Sequence, residues 1–510
     1  MMVKLFPTAA LLLLLAGCTV GPNFETPGWQ SPASWFAKKA EPIRPEASMP
    51  VAEPIDPTWW NLFDDPELTA LVKRVAGENL DVQIATARLE ESRAELGYVG
   101  AAQFPTLNAN GSYTYQKASN VGVFSAAPTA LGANGASGNT AGGLTGHTLA
   151  PFNVYQVGFD ASWELDLWGK VRRSVESSTA SVEASAEVRR GTLLSSLAEL
   201  ARDYIQLRGI QLRLQIANDN LKTAQQSLRL TQQRAAGGVT TDLDVANAAA
   251  QVRTTAAEIP FLEQQESEFI NAISLLLGLP PNALQAELIT PKPVPPLPAR
   301  VPVGMPSELA RRRPDIRQAE AQLHASTADI GVAVANFYPS VTLAGSIGLQ
   351  SLQPWQMFNL NAHQFSAGPG ITVPLFEGGQ LRATLELRKA QQQEAAIYYQ
   401  KVVLNAWHEV DNALTAYQTE QARRDQLILA VKENERALSL AQQRYQDGVA
   451  DFLQVLTAQQ NLLSTQQQLA IVTTNVSADL VALYKALGGG WETQMPRAAD
   501  DLSPLGAPSL

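Results

Sequence analysis

The sequence predicts a mixed α and β fold, a transmembrane β-barrel whose strands must be pooled from several chains and which continues into helices of unusual length. Three observations predict it. In VYQVGFDASWELDLW (residues 154–168) the odd positions from Tyr155 to Leu167 read Tyr, Val, Phe, Ala, Trp, Leu, Leu, and the even ones between are Gln156, Gly158, Asp160, Ser162, Glu164 and Asp166. That is a strand with one apolar and one acidic face. The chain is also written twice, so that four such strands occur, too few to close a barrel, which needs about eight. Finally, two runs rich in Ala, Gln, Leu, Glu and Arg, from Lys170 to about Ala236 and from Gln380 to about Gln446, contain no proline. As helices each would be on the order of 100 Å long.

Composition narrows the reading. Of 510 residues 17% are charged, and the mean hydropathy is -0.08. After residue 17 no run of 18 apolar residues exists, so no helix can cross a bilayer and any spanning part must be β. A net charge of -10 without a Lys/Arg cluster argues against a nucleic-acid partner; RRRPD at 311–315 reads as the polar start of a helix. His147, His324, His363 and His408 are widely separated, and WHEV at 407–410 lacks the second histidine of a zinc-protease helix. No enzyme, metal site or cofactor is expected.

The elements follow in order. Residues 1–17, with Lys4 and the apolar run Leu11–Leu15, read as a signal peptide. LAGC ends on Cys18, the single cysteine of the chain, which excludes an internal disulfide. It resembles the lipobox of bacterial lipoproteins, in which the cysteine carries a covalent N-terminal lipid, and Thr19 after it favours the outer membrane over retention in the inner one. Residues 18–60 and the Pro-rich 279–306 read as extended linkers rather than packed elements.

The first repeat occupies 61–278, with a helix, strands at about 104–116 and 152–167, and a long helix hairpin whose tip lies at about 237–241. The second occupies 307–490, with strands at about 340–350 and 365–376 and a tip at about 447–451. A tail covers 491–510. At an offset of 234, Asp81, Ala85, Leu89 and Gly97 fall on Asp315, Ala319, Leu323 and Gly331; at 210, Gly158 and Gly169 fall on Gly368 and Gly379. The excess of 24 residues that separates the two offsets falls in the Gly/Ala/Ser/Asn-rich 118–143, read as a long loop between two strands.

The long helices carry apolar stripes, Leu193, Leu197, Leu200, Tyr204 and Leu207 in one and Leu404, Trp407, Val410, Leu414 and Tyr417 in the other. At the tips Gly238 and Gly448 suit a left-handed cap, and Thr241 with Asp244 and Asp451 with Gln454 have capping-box spacing. LGGGW at 487–491 reads as a helix stop. Aromatics near the strand ends (Phe104, Trp168, Phe337, Tyr338, Trp355, Phe376) fit interfacial girdles as well as ordinary packing.

The lipobox stretch LAGCTVGPNFETP, WWNLFDDPELTALV at 59–72, the paired QQR and GV tips and LYKALGGGW at 483–491, together with the duplication, resemble the TolC-like outer-membrane factors, specifically the NodT-type lipidated efflux members. The resemblance implies a homotrimer, three chains giving four strands each to a twelve-stranded barrel that continues as a periplasmic α-helical barrel. It implies the exit duct of a tripartite, multidrug-type efflux system, which docks by Gly238, Val239, Gly448 and Val449 to a periplasmic adaptor beneath an inner-membrane transporter of the RND type. Tyr155, Phe159 and Trp163 would then face outer-membrane lipid, and Asp160, Glu164 and Asp166 the lumen. The family closes its periplasmic end with a leucine and acids of the second hairpin. Leu453 matches the leucine, but Thr457 stands where many members carry an acid; Asp242, Asp244, Asp447 and Asp451 supply acid at the tips instead, Asp244 and Asp451 also having capping work to do. A stand-alone porin, the outer-membrane part of a type I secretion system and a lipid-tethered coiled-coil scaffold are the alternatives.

Overall fold

The computed structural model describes residues 19–28, 35, 48–117 and 151–493. Cys18, the signal peptide, the 118–143 loop and the tail from 494 lie outside the described residues. In chain order the main elements are β1 (Met49–Val51), α1 (Pro66–Glu78), α2 (Leu80–Gly100), β2 (Thr106–Gln116), β3 (Phe152–Leu165), α3 (Lys170–Ala236), α4 (Asp242–Leu276), β4 (Arg300–Pro302), α5 (Pro314–Ala335), β5 (Ser340–Ser351), β6 (His363–Thr372), α6 (Gln380–Gln446) and α7 (Phe452–Leu487). α3 and α6 have 67 residues each, about 100 Å at 1.5 Å per residue.

The chain divides into two compact units. One gathers residues 97–177 and 327–390 with the segment up to Asn23. It holds an antiparallel sheet in the order β2-β3-β5-β6. β3 stops at Leu165, two residues short of the sequence-based end, because the chain turns at Gly169 (φ +81°) into α3. β6 stops at Thr372 rather than 376, before Pro374, which has no N–H to lend a ladder. Gly158 and Gly348 face each other across β3 and β5. A Cβ on Gly158 would lie 2.7 Å from the Ile347 carbonyl oxygen, so the backbones approach here as only glycine permits.

The segment 19–23 lies against this unit as a strap. The Val20 N–H donates to the Trp168 carbonyl (3.1 Å), and Arg173 donates to Asn23 Oδ1 (2.7 Å) and to the Val20 carbonyl (3.3 Å). Gly21 (φ +91°) sits against Gly331, where a side chain on either would overlap its neighbours.

The other unit gathers 24–96, 178–326 and residues from 391 onward. Its main core joins Trp59, Trp60 and Phe63 to the stripes of α3, α6 and α7; Trp59 stacks on Tyr484 with centroids 5.6 Å apart. The α3 stripe is buried as the spacing predicts. The α6 stripe needs a correction, since Leu404 is exposed and Val403 and Ala406 are buried with Val410, Leu414 and Tyr417. Val403 is the position that the repeat aligns with Leu193, so the buried seam runs in the same register in both helices. α3 also meets α7 closely, because a Cβ on Gly209 would overlap Thr474.

The linkers need a larger correction: their described parts are packed. β1 pairs in parallel with β4, and Leu284, Leu288, Val301 and Val303 of the Pro-rich connector are buried in the core. Prolines give up N–H donors but leave every carbonyl free to accept, and buried side chains use them. Arg208, fully buried, donates to the Leu288 carbonyl (3.2 Å), the Thr290 carbonyl (3.0 Å) and Gln211 Oε1 (2.6 Å). Gln211 donates to the Leu288 carbonyl (2.9 Å) and to Glu266 (2.8 Å). Glu67 of α1 completes the network, pairing with Arg208 and with Lys292 (2.9 Å) and accepting from the Tyr204 hydroxyl (2.8 Å).

At the other end of the repeat, Gly488 (φ +74°) caps α7. Arg313 packs over it, bonded to the Ala486 carbonyl (2.8 Å), Asp315 (2.7 Å) and Glu409 (2.7 Å). RRRPD therefore contains a buried staple as well as a helix start. The guanidinium groups of Arg190 and Arg317, which share Glu187, lie 5.3 and 5.4 Å from the centre of the Trp491 ring.

Burial alone would raise the Glu67 carboxyl, but hydrogen bonds from Lys292 and Tyr204 and the charges of Arg208 and Lys292 outweigh it and hold the group below the usual range. A depressed pKa stabilises the fold fully above the unfolded value, about 4.3, and that stability is lost as pH falls through the folded value. Glu67→Gln leaves Arg208 buried without its counter-charge and is expected to cost about 3–5 kcal/mol. The check is denaturant midpoints from pH 3 to pH 7, with the gap between wild type and variant closing at the acid end.

Candidate lumenal face and hairpin tips

The sheet register sorts its side chains into two faces. Partnered residues share parity throughout, so one face carries Leu107, Tyr113, Tyr155, Val157, Phe159, Trp163, Leu343, Ile347, Phe365 and Ile371. The other carries Asn108, Asn110, Ser112, Asp160, Ser162, Glu164, Thr342, Ser346 and Ser366. On the apolar face Phe159 is 54% exposed, Ile347 63% and Phe365 79%, far more than a soluble sheet leaves uncovered. β2 and β6 are the outer strands of the sheet, so among the described residues each has one open edge.

Asp160 lies on the polar face and accepts from Asn110, while Glu164 pairs with Lys170 (3.6 Å). Asp166 is a correction to the strand reading. It lies beyond the last residue of β3, accepts the N–H groups of Val171 (3.0 Å) and Arg172 (2.9 Å), and pairs with the Arg172 side chain (3.1 Å). Its carboxylate caps α3, which explains an acid at that point without a lumenal role. Among the aromatics near the strand ends, Trp168 donates to the Pro339 carbonyl (2.7 Å) and stacks on Tyr338 (4.8 Å), whereas Phe104, Trp355 and Phe376 are exposed.

Both hairpin tips turn by the same backbone device. Gly238 (φ +71°) and Gly448 (φ +78°) take the left-handed position. The Val239 N–H reaches back to the Arg234 carbonyl (2.9 Å) and the Val449 N–H to the Arg444 carbonyl (3.0 Å). Val239 and Val449 are 64% and 65% exposed.

The helices that follow start differently. At α4 the capping box is reciprocal between Thr241 and Asp244; the Thr240 hydroxyl (2.5 Å) also donates to the Asp244 carboxylate and, with the Thr241 bonds, holds it below the usual carboxylate range. At α7 the carboxylate of Asp451 accepts from the Gln454 N–H (3.3 Å), and the return bond of a capping box is not made among the described residues. Asp242 is exposed in the first turn of α4. Leu453 is 59% exposed. Thr457 is exposed and donates its hydroxyl to the Leu453 carbonyl (2.8 Å), so it satisfies its own helix rather than presenting charge.

The structure also joins the two tips, which the sequence did not reveal. Arg234 lies over the ring of Tyr445 at 4.6 Å and donates to the Gln446 carbonyl (3.1 Å). Tyr445 is buried against Phe452, centroids 5.6 Å apart, in a small core that Ala248 and Leu228 of the first hairpin share with Leu438, Val455 and Leu462 of the second. The paired QQR motifs marked Arg234, but nothing in the spacing named the ring it would meet.

A four-stranded sheet with an exposed apolar face, in a chain that also carries two copies of a long helix hairpin, directs comparison to outer-membrane channels. The chain matches the outer membrane efflux protein family over residues 71–279 and 305–489. It belongs to that family. It is 32% identical to nodulation protein T of Rhizobium leguminosarum bv. viciae over 98% of this chain and 97% of that one. It is 31% identical to the probable efflux pump outer membrane protein TtgC of Pseudomonas putida over 98% of both chains. The solved structure of the outer-membrane channel OprN superposes with a TM-score of 0.83 at 35% identity, covering 93% of this chain and all of that one. The Campylobacter jejuni CmeC channel, at 22% identity and a TM-score of 0.82 over 93% of this chain and 95% of that one, shares the fold. An outer membrane efflux protein is a transport component and not an enzyme.

Removal of the reciprocal cap tests the role of the tip. Thr241→Ala is expected to cost about 1 kcal/mol of local stability, read as faster hydrogen exchange at residues 242–246 with the exchange of residues 193–207 unchanged.

Proposed function

We propose that this outer-membrane efflux channel is a homotrimer in which each chain contributes its four strands to one twelve-stranded barrel, the lumen lined by the polar face that bears Asp160 and Glu164. The observation that carries the reading is the sheet itself: two open edges and an exposed apolar face leave backbone and side chains that only lipid and neighbouring strands satisfy. The long helices of the three chains then continue the wall as an α-helical barrel through the periplasm. An acidic lumen of this kind favours cations modestly by focusing the field.

The duct is passive and depends on a periplasmic adaptor and an inner-membrane pump, which we take to be of the RND type. The efflux-pump names of the relatives support this partnership. The exposed tip residues Gly238, Val239, Gly448 and Val449 are the docking candidates. Closure of the periplasmic end falls to Leu453 with Asp242, because Asp244 and Asp451 are spent on helix caps and Thr457 carries no charge. Cys18 carries the lipid and adds a second hold on the outer membrane. No other cofactor enters this reading.

Imaging of the detergent-extracted protein tests the assembly, with a three-fold ring expected and a compact monomer refuting it. Cys18→Ser separates barrel from tether. A protein held by its barrel stays in the membrane through alkaline carbonate washing and still lowers drug accumulation, whereas release into the wash means that lipid alone held it.

A further inference from the structure

The duplicated tips are not equivalent in one respect. The offset of 210 residues places Arg234 on Arg444, and places Tyr445 and Gln446 on Ala235 and Ala236. Backbone geometry at the two arginines is the same, each carbonyl accepting the N–H five residues on. Their side chains differ. Arg234 is engaged across the seam between the hairpins of one chain, on the Tyr445 ring and the Gln446 carbonyl. Arg444 is exposed and makes no side-chain hydrogen bond or ion pair among the described residues.

We propose that Arg444 makes the counterpart of this contact on a second copy of the chain, donating to the carbonyl of Ala236 in the neighbouring copy. This rests on the reading that the copies form a closed ring. In such a ring each second hairpin has the first hairpin of its own chain on one flank and the first hairpin of the next copy on the other. The duplication then repeats across the outer flank the contact already present across the inner one. The two seams differ in strength. The one within a chain has a guanidinium lying on a buried aromatic face as well as the carbonyl bond; the one between copies has alanine at the ring's position and keeps the carbonyl bond alone. The tips of the closed ring are thus held by strong and weak seams in alternation, and the weak ones coincide with the boundaries between copies.

The test is cross-linking in intact membranes. Ala235→Cys with Arg444→Cys probes the outer seam, and Arg234→Cys with Tyr445→Cys calibrates the reach across the inner one, each treated with a short bis-methanethiosulfonate linker. The outer pair is expected to give a ladder of dimer and trimer on a non-reducing denaturing gel, and the inner pair a monomer whose mass carries a single linker bridging both thiols. A monomer whose mass carries a single linker bridging both thiols of the outer pair places Arg444 against its own chain and overturns the proposal. Unbridged thiols, free or each carrying its own linker, in a protein whose native mass is that of a trimer overturn it while leaving the ring intact, and a monomeric native mass overturns both.

Discussion

The constraint on which the structure depends is the incompleteness of its sheet. Strands of 10 to 14 residues are long enough to cross a hydrocarbon core at the tilt of a barrel. Four of them cannot curl far enough to pair β2 with β6. The open edges and the apolar face that holds Phe159, Ile347 and Phe365 are costly in water and useful in lipid beside other strands.

Helical residues face the opposite difficulty. The long helices have narrow apolar seams and cannot surround a core by themselves, so the unit that holds the seams borrows material from the connectors. Trp59, Trp60 and Phe63 enter from the N-terminal side, Leu288 and Val301 from the Pro-rich stretch. Arg208 and Gln211 then fasten that stretch through its carbonyls. A buried arginine is tolerable only because Glu67 and several backbone acceptors meet its fork. Arg313 does the same at the end of α7. Polar groups thus position the connectors while apolar ones supply the burial.

Much of this was legible in the sequence. Alternation gave the strands, absence of proline gave the long helices, and the duplication fixed which segments are counterparts. Strand ends are not legible where a local device takes over: Asp166 continues the alternation in the sequence but serves as a helix cap, and Pro374 ends a ladder that hydropathy would extend. The packing of the connectors is not legible in their proline content, because proline removes donors and leaves acceptors that buried side chains of other segments can use. Hydropathy favours Leu404 for the seam, whereas the repeat points to Val403, which is the buried one. Long-range partners such as Arg208 with Glu67, or Arg234 with Tyr445, have no local signature, because their positions depend on how separate helices meet.

The duplication carries a further consequence. Where the two halves must do the same thing, at the glycine turns and the returning N–H bonds of the tips, they use the same backbone solution. Where their surroundings differ, the side chains diverge, as Thr241 and Asp451 do at the caps and Tyr445 and Ala235 do at the seam. A ring built from two halves in alternation needs every contact twice, once within a chain and once between chains. Contacts within a chain form during folding at an effective concentration set by the tether, while those between chains wait on assembly. An aromatic clamp on the inner seam therefore secures the two hairpins of one chain as a unit before any neighbour arrives, and in the proposed ring a bare carbonyl contact on the outer seam would leave the boundary between copies the easier one to part.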